Sequence, residues 1–337
     1  MQAISDQTVD TPIRNTTSRL AWPDHFDHIK ARLGVNRMGH RTEPGLFTIG
    51  APSADSPVFV SANYTLSFDA LRSALSGIDG YILVLDTDGV NVWCAAGKGT
   101  FGTDELVNRI EKTGLGAITH QRTLILPQLG APGVAAQDVK KRSGFKVEYG
   151  PVRAADLPEY LKTRQATPEM RRVHFSLVDR LKVSLVDLIV AIWPMLIAAV
   201  LLYFLGGWRP ALAAITATLA GELLFPILLP WLPGHDFSTK GLILGGLAAL
   251  PFALLAFMGN PQAAWWLRLA AGLAYLFALA PVTGLLSLLF TGSTTFTSRT
   301  GVKREIAAYI PIMAWIFGAG ALLTIGLFAA RLLGVQS

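Results

Sequence analysis

An α/β head followed by an all-α domain of five transmembrane helices is the architecture that this 337-residue chain predicts. Two observations carry the prediction. Up to about Lys182 the charge is ordinary and short apolar strands alternate with amphipathic helices. From about Val183 apolar runs of roughly twenty residues dominate, the length that crosses a bilayer. The 15% of charged residues is therefore an average over two unlike halves.

The N-terminal stretch, Met1 to Leu20, is polar and lacks the apolar core of a secretory signal, so the head is expected to stay on the side where it is made. Residues 1–44 read as an arm with one short helix, 24–33, and little that could pack, hence loosely docked. The α/β domain is expected over 45–165. Its strands are Leu46–Ile49, Val58–Ser61, Tyr81–Asp86, Thr123–Leu126 and Lys146–Tyr149, and its helices Ser67–Leu75, Thr103–Lys112 and Val134–Arg142. Thr103 offers a hydroxyl cap, with Asp104 and Glu105 in the first turn. Strand and helix alternating at this spacing predict an open, mostly parallel sheet, whose ligands sit at the carboxyl ends of the strands. The loops at those ends are rich in Gly, Pro and small side chains: Asn63–Ser67, Thr87–Gly89, Pro127–Gly133 and Gly150–Arg153. Converging on one edge, they would form a broad, backbone-lined surface suited to a large flat ligand.

A basic linker, 166–184, precedes the membrane domain, 185–337. Its spans are expected at 185–205, 210–232, 242–258, 264–290 and 306–330, the third short and the fourth long. Lys162, Arg164, Arg171, Arg172, Arg180 and Lys182 precede the first span, and Arg299, Lys303 and Arg304 precede the fifth. The opposite side offers Arg209 and, inside span four, Arg268. This bias places the head in the cytoplasm and the C-terminus outside, in an inner membrane. The net charge of +6 then faces anionic lipid rather than nucleic acid. Asp187 lies near a span end and can snorkel, whereas mid-span Glu222 is expected to face the bundle. The hydroxyl-rich loop Thr291–Arg299 reads as a polar connection or a docking surface.

The chain has one cysteine, Cys94, in the run Asn91-Val92-Trp93-Cys94-Ala95-Ala96-Gly97-Lys98. A lone thiol makes no intrachain disulfide, and a strand running into a Gly-flanked helical turn is a place where thiolates do chemistry. The bland alternatives are a small buried hydrophobe for Cys94, a core residue for Trp93 and a solvated turn residue for Lys98. Gly97-Lys98-Gly99-Thr100 is not a phosphate-binding loop, since Val92 stands where that motif needs Gly, and Gly99 where it needs Ser or Thr. The histidine nearest in sequence to Cys94 is His120, too far for the short ligand spacing of structural zinc, and one thiol cannot hold an iron–sulfur cluster.

The run Asn91 to Lys98 resembles, residue for residue, the cap-helix signature of the mercury-methylating corrinoid proteins, the HgcA family. The surrounding head, about residues 45–165, resembles the corrinoid-binding domain of the large subunit of the corrinoid iron–sulfur protein. Asn63 to Asp69, Asp86-Thr87-Asp88-Gly89 and Gln128 to Gly133 support the likeness. The resemblance implies a Rossmann-like corrinoid-binding domain ahead of the membrane helices, with Cys94 as lower axial ligand of the corrinoid cobalt and as the catalytic residue. It implies that Asn91, Val92, Trp93, Ala95, Ala96, Gly97 and Lys98 shape the cap helix. The other corrin-facing residues would be Asn63, Thr65, Leu66 and Ser67; Gln128, Leu129, Gly130, Ala131, Pro132 and Gly133; and Gly150, Pro151, Val152 and Arg153. The Asp-x-His-x-x-Gly signature of histidine-ligated cobalamin proteins is absent. The implied activity is methyl transfer from a folate-type donor, through cobalt, to Hg(II) under anaerobic conditions. A ferredoxin-like partner with two four-iron clusters, HgcB, would return the electrons. Two alternatives keep the corrinoid: a methyl carrier for a different acceptor, and a corrinoid-dependent membrane sensor.

Overall fold

The computed structural model describes residues 12–36, 39–294 and 299–333. The chain divides into two compact units, a head up to Val173 and a helical unit from His174.

The head is built on a six-stranded sheet, with strands β1 (Arg14–Thr16), β2 (Gly45–Ile49), β3 (Val58–Ala62), β4 (Gly80–Leu85), β5 (Thr123–Leu126) and β6 (Lys146–Tyr149) in the order β1-β2-β4-β3-β5-β6. From β4 to β6 all neighbours are parallel, and β1 is parallel to β2. β2 runs antiparallel to β4, pairing Phe47 with Ile82. The helices are α1 (Trp22–Arg32), α2 (Thr65–Ala74), α3 (Val92–Lys98), α4 (Thr103–Lys112), α5 (Leu115–Ile118), α6 (Ala136–Ser143) and α7 (Leu157–Thr163).

Strand periodicity explains the layers. Val58, Val60, Leu83, Leu85, Leu124 and Leu126 point to one face and pack with Leu106, Ile110 and Val139 of α4 and α6. Phe59, Ile82, Val84 and Ile125 point to the other and meet Phe68 and Leu71 of α2 and Tyr160 of α7. Each such fully buried side chain stabilises the fold by roughly 1.5–3 kcal/mol. α4 forms where Leu106, Val107 and Ile110 make a buried stripe, with acids in its first turn and Arg109 and Lys112 in its last, matching the helix dipole.

The described residues before 45, part of what the sequence reads as a loosely docked arm, are fastened to the head. Arg14–Thr16 adds a parallel edge strand, and α1 is tied through Arg72, which reaches Asp24 at 2.8 Å, Asp69 at 2.6 Å and the carbonyls of Thr17 and Arg19. His28 meets Asp69 at 2.6 Å and His40 meets Asp27 at 2.7 Å. These contacts are polar, which is why apolar patterning did not announce them.

The second unit holds five helices long and apolar enough to cross a membrane. They are α8 (Leu177–Gly206); a span made of α9 (Trp208–Leu219), a π-helical turn (Ala220–Leu224) and α10 (Phe225–Leu228); α11 (Phe237–Met258); α12 (Trp265–Leu289); and α13 (Arg299–Leu332). α11 is longer than expected, because its first turn carries Ser238, buried, and Lys240, whose ammonium donates to the Leu229 carbonyl at 3.0 Å. Those polar residues interrupt the apolar run without interrupting the helix. α11 and α12 approach closely: a Cβ on Gly241 would lie 2.9 Å from the Cα of Gly284, and one on Gly245 2.8 Å from that of Ala280.

Candidate functional site

Parallel pairing of β4, β3, β5 and β6 brings the loops after residues 62, 85, 126 and 149 out at one edge, as the sequence led us to expect. The connection from β3 runs toward β4 and the one from β5 toward β6, so their shared edge is the switch point where α/β sheets bind ligands.

A cavity of about 220 Å³ opens there. Ser67, Asn91, Val92, Trp93, Leu129, Pro151 and Val152 line it, each taken from sequence as a site residue. Its remaining wall is strand and helix: Phe59, Val60, Ser61, Ile125, Leu126, Pro127 and, across from them, Ala70, Leu71, Ala154 and Leu157. Sequence reasoning did not name these as site residues, since an apolar strand end facing a cavity has the same pattern as one facing a helix.

The helix carrying Cys94 is fixed at both ends. Asn91 caps it, its Oδ1 accepting the Cys94 N–H at 2.9 Å. Gly99, at φ +91°, ends it in the left-handed conformation, and its N–H reaches the Ala95 carbonyl. Ala95 and Ala96 face inward and are buried, which leaves Trp93, Cys94, Gly97 and Lys98 on the open side. Cys94 and Trp93 are half-buried, so neither is the simple core residue of the bland reading. A Cβ placed on Gly97, one turn along from Cys94, would meet nothing within 4 Å beyond its chain neighbours and its own helix backbone, so that strip of the helix surface beside the thiol is open.

The loop after β5 supports this helix from behind. A Cβ on Gly133 would lie 2.1 Å from the Phe101 carbonyl oxygen and 3.0 Å from the Cα of Ala96, and one on Gly130 2.5 Å from the Phe101 ring. Tyr149 donates to the Val134 carbonyl at 2.5 Å, and burial pushes its hydroxyl pKa up, so it remains a donor. Ala131 is half-buried and Pro132 exposed. Gln128 is held by Arg171 at 3.2 Å. Gly150 and Pro151 are buried and Arg153 is exposed.

Asn63 has a different place from the ligand-facing one expected. It is 2% exposed, and its Oδ1 accepts from the Thr87 N–H, the Thr87 hydroxyl and the Gly89 N–H at 3.0, 2.8 and 3.0 Å. Its amide donates to Asp86 at 3.1 Å. Asn63 therefore holds the turn in which Asp88 and Gly89 take positive φ, and that turn aims the cap helix. Thr65 starts α2 beside the N-terminal segment, and Leu66 and Ser67 are half-buried in its first turn.

In the helical unit Glu222 is buried, as expected for a residue facing the bundle. It sits in the π-helical turn, where Pro226 has no N–H for the Glu222 carbonyl and the Ser184 hydroxyl donates to it instead. Asp187 lies inside α8, which begins at Leu177, ahead of the apolar run read as the first span. Of the loop Thr291–Arg299, residues 295–298 fall outside the described residues, while Thr291 and Thr294 are buried. Among the described residues no group of three or more His, Cys, Asp or Glu could hold a metal ion.

Residues 36–161 match the family of the CO dehydrogenase/acetyl-CoA synthase delta subunit. The chain is 33% identical over 128 residues to the acetyl-CoA decarbonylase/synthase complex subunit gamma of Methanopyrus kandleri, covering 37% of this chain and 27% of that protein. It is 32% identical over 124 residues to the corresponding subunit of Archaeoglobus fulgidus, covering 36% and 26%. The chain spans about a quarter of the length of these relatives. The match lies within the head, and the helical unit lies outside it.

Proposed function

We propose that the head holds a corrinoid across the carboxyl edge of its sheet, with the Cys94 thiolate as lower axial ligand, and that the protein is a membrane-anchored methyltransferase acting on Hg(II). The observation that carries this reading is the display of Cys94: a half-buried thiol on a doubly capped helix, beside a glycine with open space over it. A flat macrocycle needs such a strip, and any side chain at Gly97 would fill it. The residues present fit the group on that test. Likeness to the acetyl-CoA decarbonylase/synthase subunits supports a corrinoid methyl-transfer role in general.

When bound, the corrinoid supplies a cobalt centre that accepts and gives up a methyl group. Cys94 gives cobalt a soft, strongly donating ligand. Hg(II) is an electrophile and would need methyl delivered with its bonding electrons, and a strongly donating thiolate from Cys94 would favour that outcome. Asn91 and Gly99 fix the orientation of the thiol-bearing helix, Ala95 and Ala96 anchor it, and Trp93 walls the cavity below. With one cysteine the chain cannot hold its own cluster, and the resemblance of its cap helix to the HgcA family implies a separate ferredoxin with two four-iron clusters as the electron donor. A methylated folate-type donor supplies the methyl group.

Methylmercury formation in anaerobic cells that lack the activity, given this gene and its ferredoxin partner, tests the reading. Wild type should form product and Cys94→Ala should not, with both proteins present in the membrane fraction. Unchanged product from Cys94→Ala would remove the thiolate from the mechanism. Corrinoid bound to wild type with no methylmercury formed would favour a carrier for another acceptor, since the site specifies cobalt ligation more directly than the methyl acceptor.

A further inference from the structure

Helix α1 is docked the wrong way round for a helix of a water-soluble domain. Its charged side chains face the head: Asp24 toward Arg72, Asp27 toward His40 and His28 toward Asp69, with Ala31 buried on the same face. Its large apolar side chains face outward. Trp22 is 86% exposed, Phe26 57%, Ile29 51% and Leu33 45%, at the spacing of one helical stripe; Val35, just after it in sequence, and Ile13, just before β1, are exposed too. These six are all the exposed large hydrophobic residues among the described residues of the head. Among the described residues from 36 to 173, the region that contains the family match, there is none. The stripe therefore belongs to a segment added in front of the shared domain, and the polar docking contacts fix it facing outward.

We infer that this face of α1 lies in the interface of the lipid bilayer. Three features choose lipid over a protein partner. The chain carries five membrane-crossing helices, and α8 begins at Leu177, shortly after the head ends at Val173, so the head cannot diffuse away from a bilayer. The stripe begins with Trp22, whose ring suits the headgroup boundary. Its rim is basic, with Arg19 and Arg32 exposed and the Lys30 ammonium 4.4 Å from the Phe26 ring centroid, as on helices that bind anionic lipid surfaces. A second attachment of this kind would restrict rotation of the head about its linker. The inference is independent of what Cys94 binds.

The test uses the full chain reconstituted in vesicles of phosphatidylethanolamine and phosphatidylglycerol. Cys94→Ala gives a thiol-free background, into which Ile29→Cys, or Lys140→Cys on exposed α6 as a control, introduces one site for an environment-sensitive fluorophore. Nitroxide-bearing lipid should quench the Ile29 label by about half or more and leave the Lys140 label nearly untouched, as for a helix buried at the acyl boundary. Trp22→Glu with Phe26→Glu and Leu33→Glu, all at exposed positions and so tolerated by the fold, should abolish the difference. Equal quenching at the two sites would overturn the inference. So would shielding of the Ile29 label that appears only on adding the ferredoxin partner, or only at high protein-to-lipid ratio, which would give the face to a protein or to a second copy of the chain.

Discussion

At the scale of single residues, two glycines separate packing from ligand binding. Gly97 has open space where a Cβ would go, and Gly133 has backbone there. Gly97→Ala should stabilise the cofactor-free protein by about 0.5–1 kcal/mol, through helix propensity alone. The same methyl group would stand on the strip assigned to the corrin, so corrinoid affinity should fall while thermal stability rises. Gly133→Ala should lower both, because the loop must retreat from Phe101 and Ala96 and the cap helix loses its support. Thermal melts alongside corrinoid titrations, followed by visible absorbance, separate the cases. If Gly97→Ala binds corrinoid as wild type does, the macrocycle does not lie along that strip.

At the scale of elements, what could be read from the chain depended on whether apolar side chains or polar contacts define the element. β5, β6 and α4 were legible to the residue, since their apolar spacing and terminal acids and bases are local. β1 was not: Arg14, Asn15 and Thr16 carry no apolar pattern, and the strand exists because the edge of β2 offers unpaired backbone groups. The direction of β2 was not legible either, because an apolar run is the same read parallel or antiparallel. Asn63 was found at the right edge of the sheet, but its role lies in bonds to residues 86–89, which a resemblance by position does not reveal.

The polar docking of α1 makes a prediction with a definite sign. Burial pushes the Asp24 carboxyl up, but the Ala21 N–H and Arg72 outweigh it and hold the pKa below its ordinary value of 3.8. A group depressed in the folded state contributes stability above its ordinary pKa and loses it as pH falls through the folded value. Protection of the α1 amides against hydrogen exchange, taken relative to the intrinsic rate at each pH, should therefore be high at neutral pH and fall below about pH 4, ahead of the sheet. Arg72→Ala, which strips Asp24 and Asp69 of their partner, should free α1 at neutral pH, at a cost on the order of 3–5 kcal/mol. Protection of α1 that is unchanged in this variant would mean the His28–Asp69 and His40–Asp27 contacts suffice to hold it.

At the scale of the whole molecule, the proposed chemistry requires the head to share a compartment with a reducing ferredoxin, which makes orientation part of the mechanism. The distribution of basic residues argues for a cytoplasmic head. Arg299, Lys303 and Arg304 open the fifth span on the side where α8 begins, and Arg209 and Arg268 are the basic residues near the other ends of the spans. Arg268 is already used there, since its Nε–H donates to the Phe257 carbonyl at 2.7 Å and its guanidinium stands over the Phe257 ring. It closes the end of α11. In a Cys94→Ala background, Asn260→Cys, in the turn between α11 and α12, should react with a membrane-impermeant thiol reagent on intact cells. His235→Cys, in the turn before α11, should react only after the cells are opened. The reverse pattern would put Cys94 outside the compartment of its electron donor, and the reading of this protein as a reductively maintained corrinoid methyltransferase would fall with it.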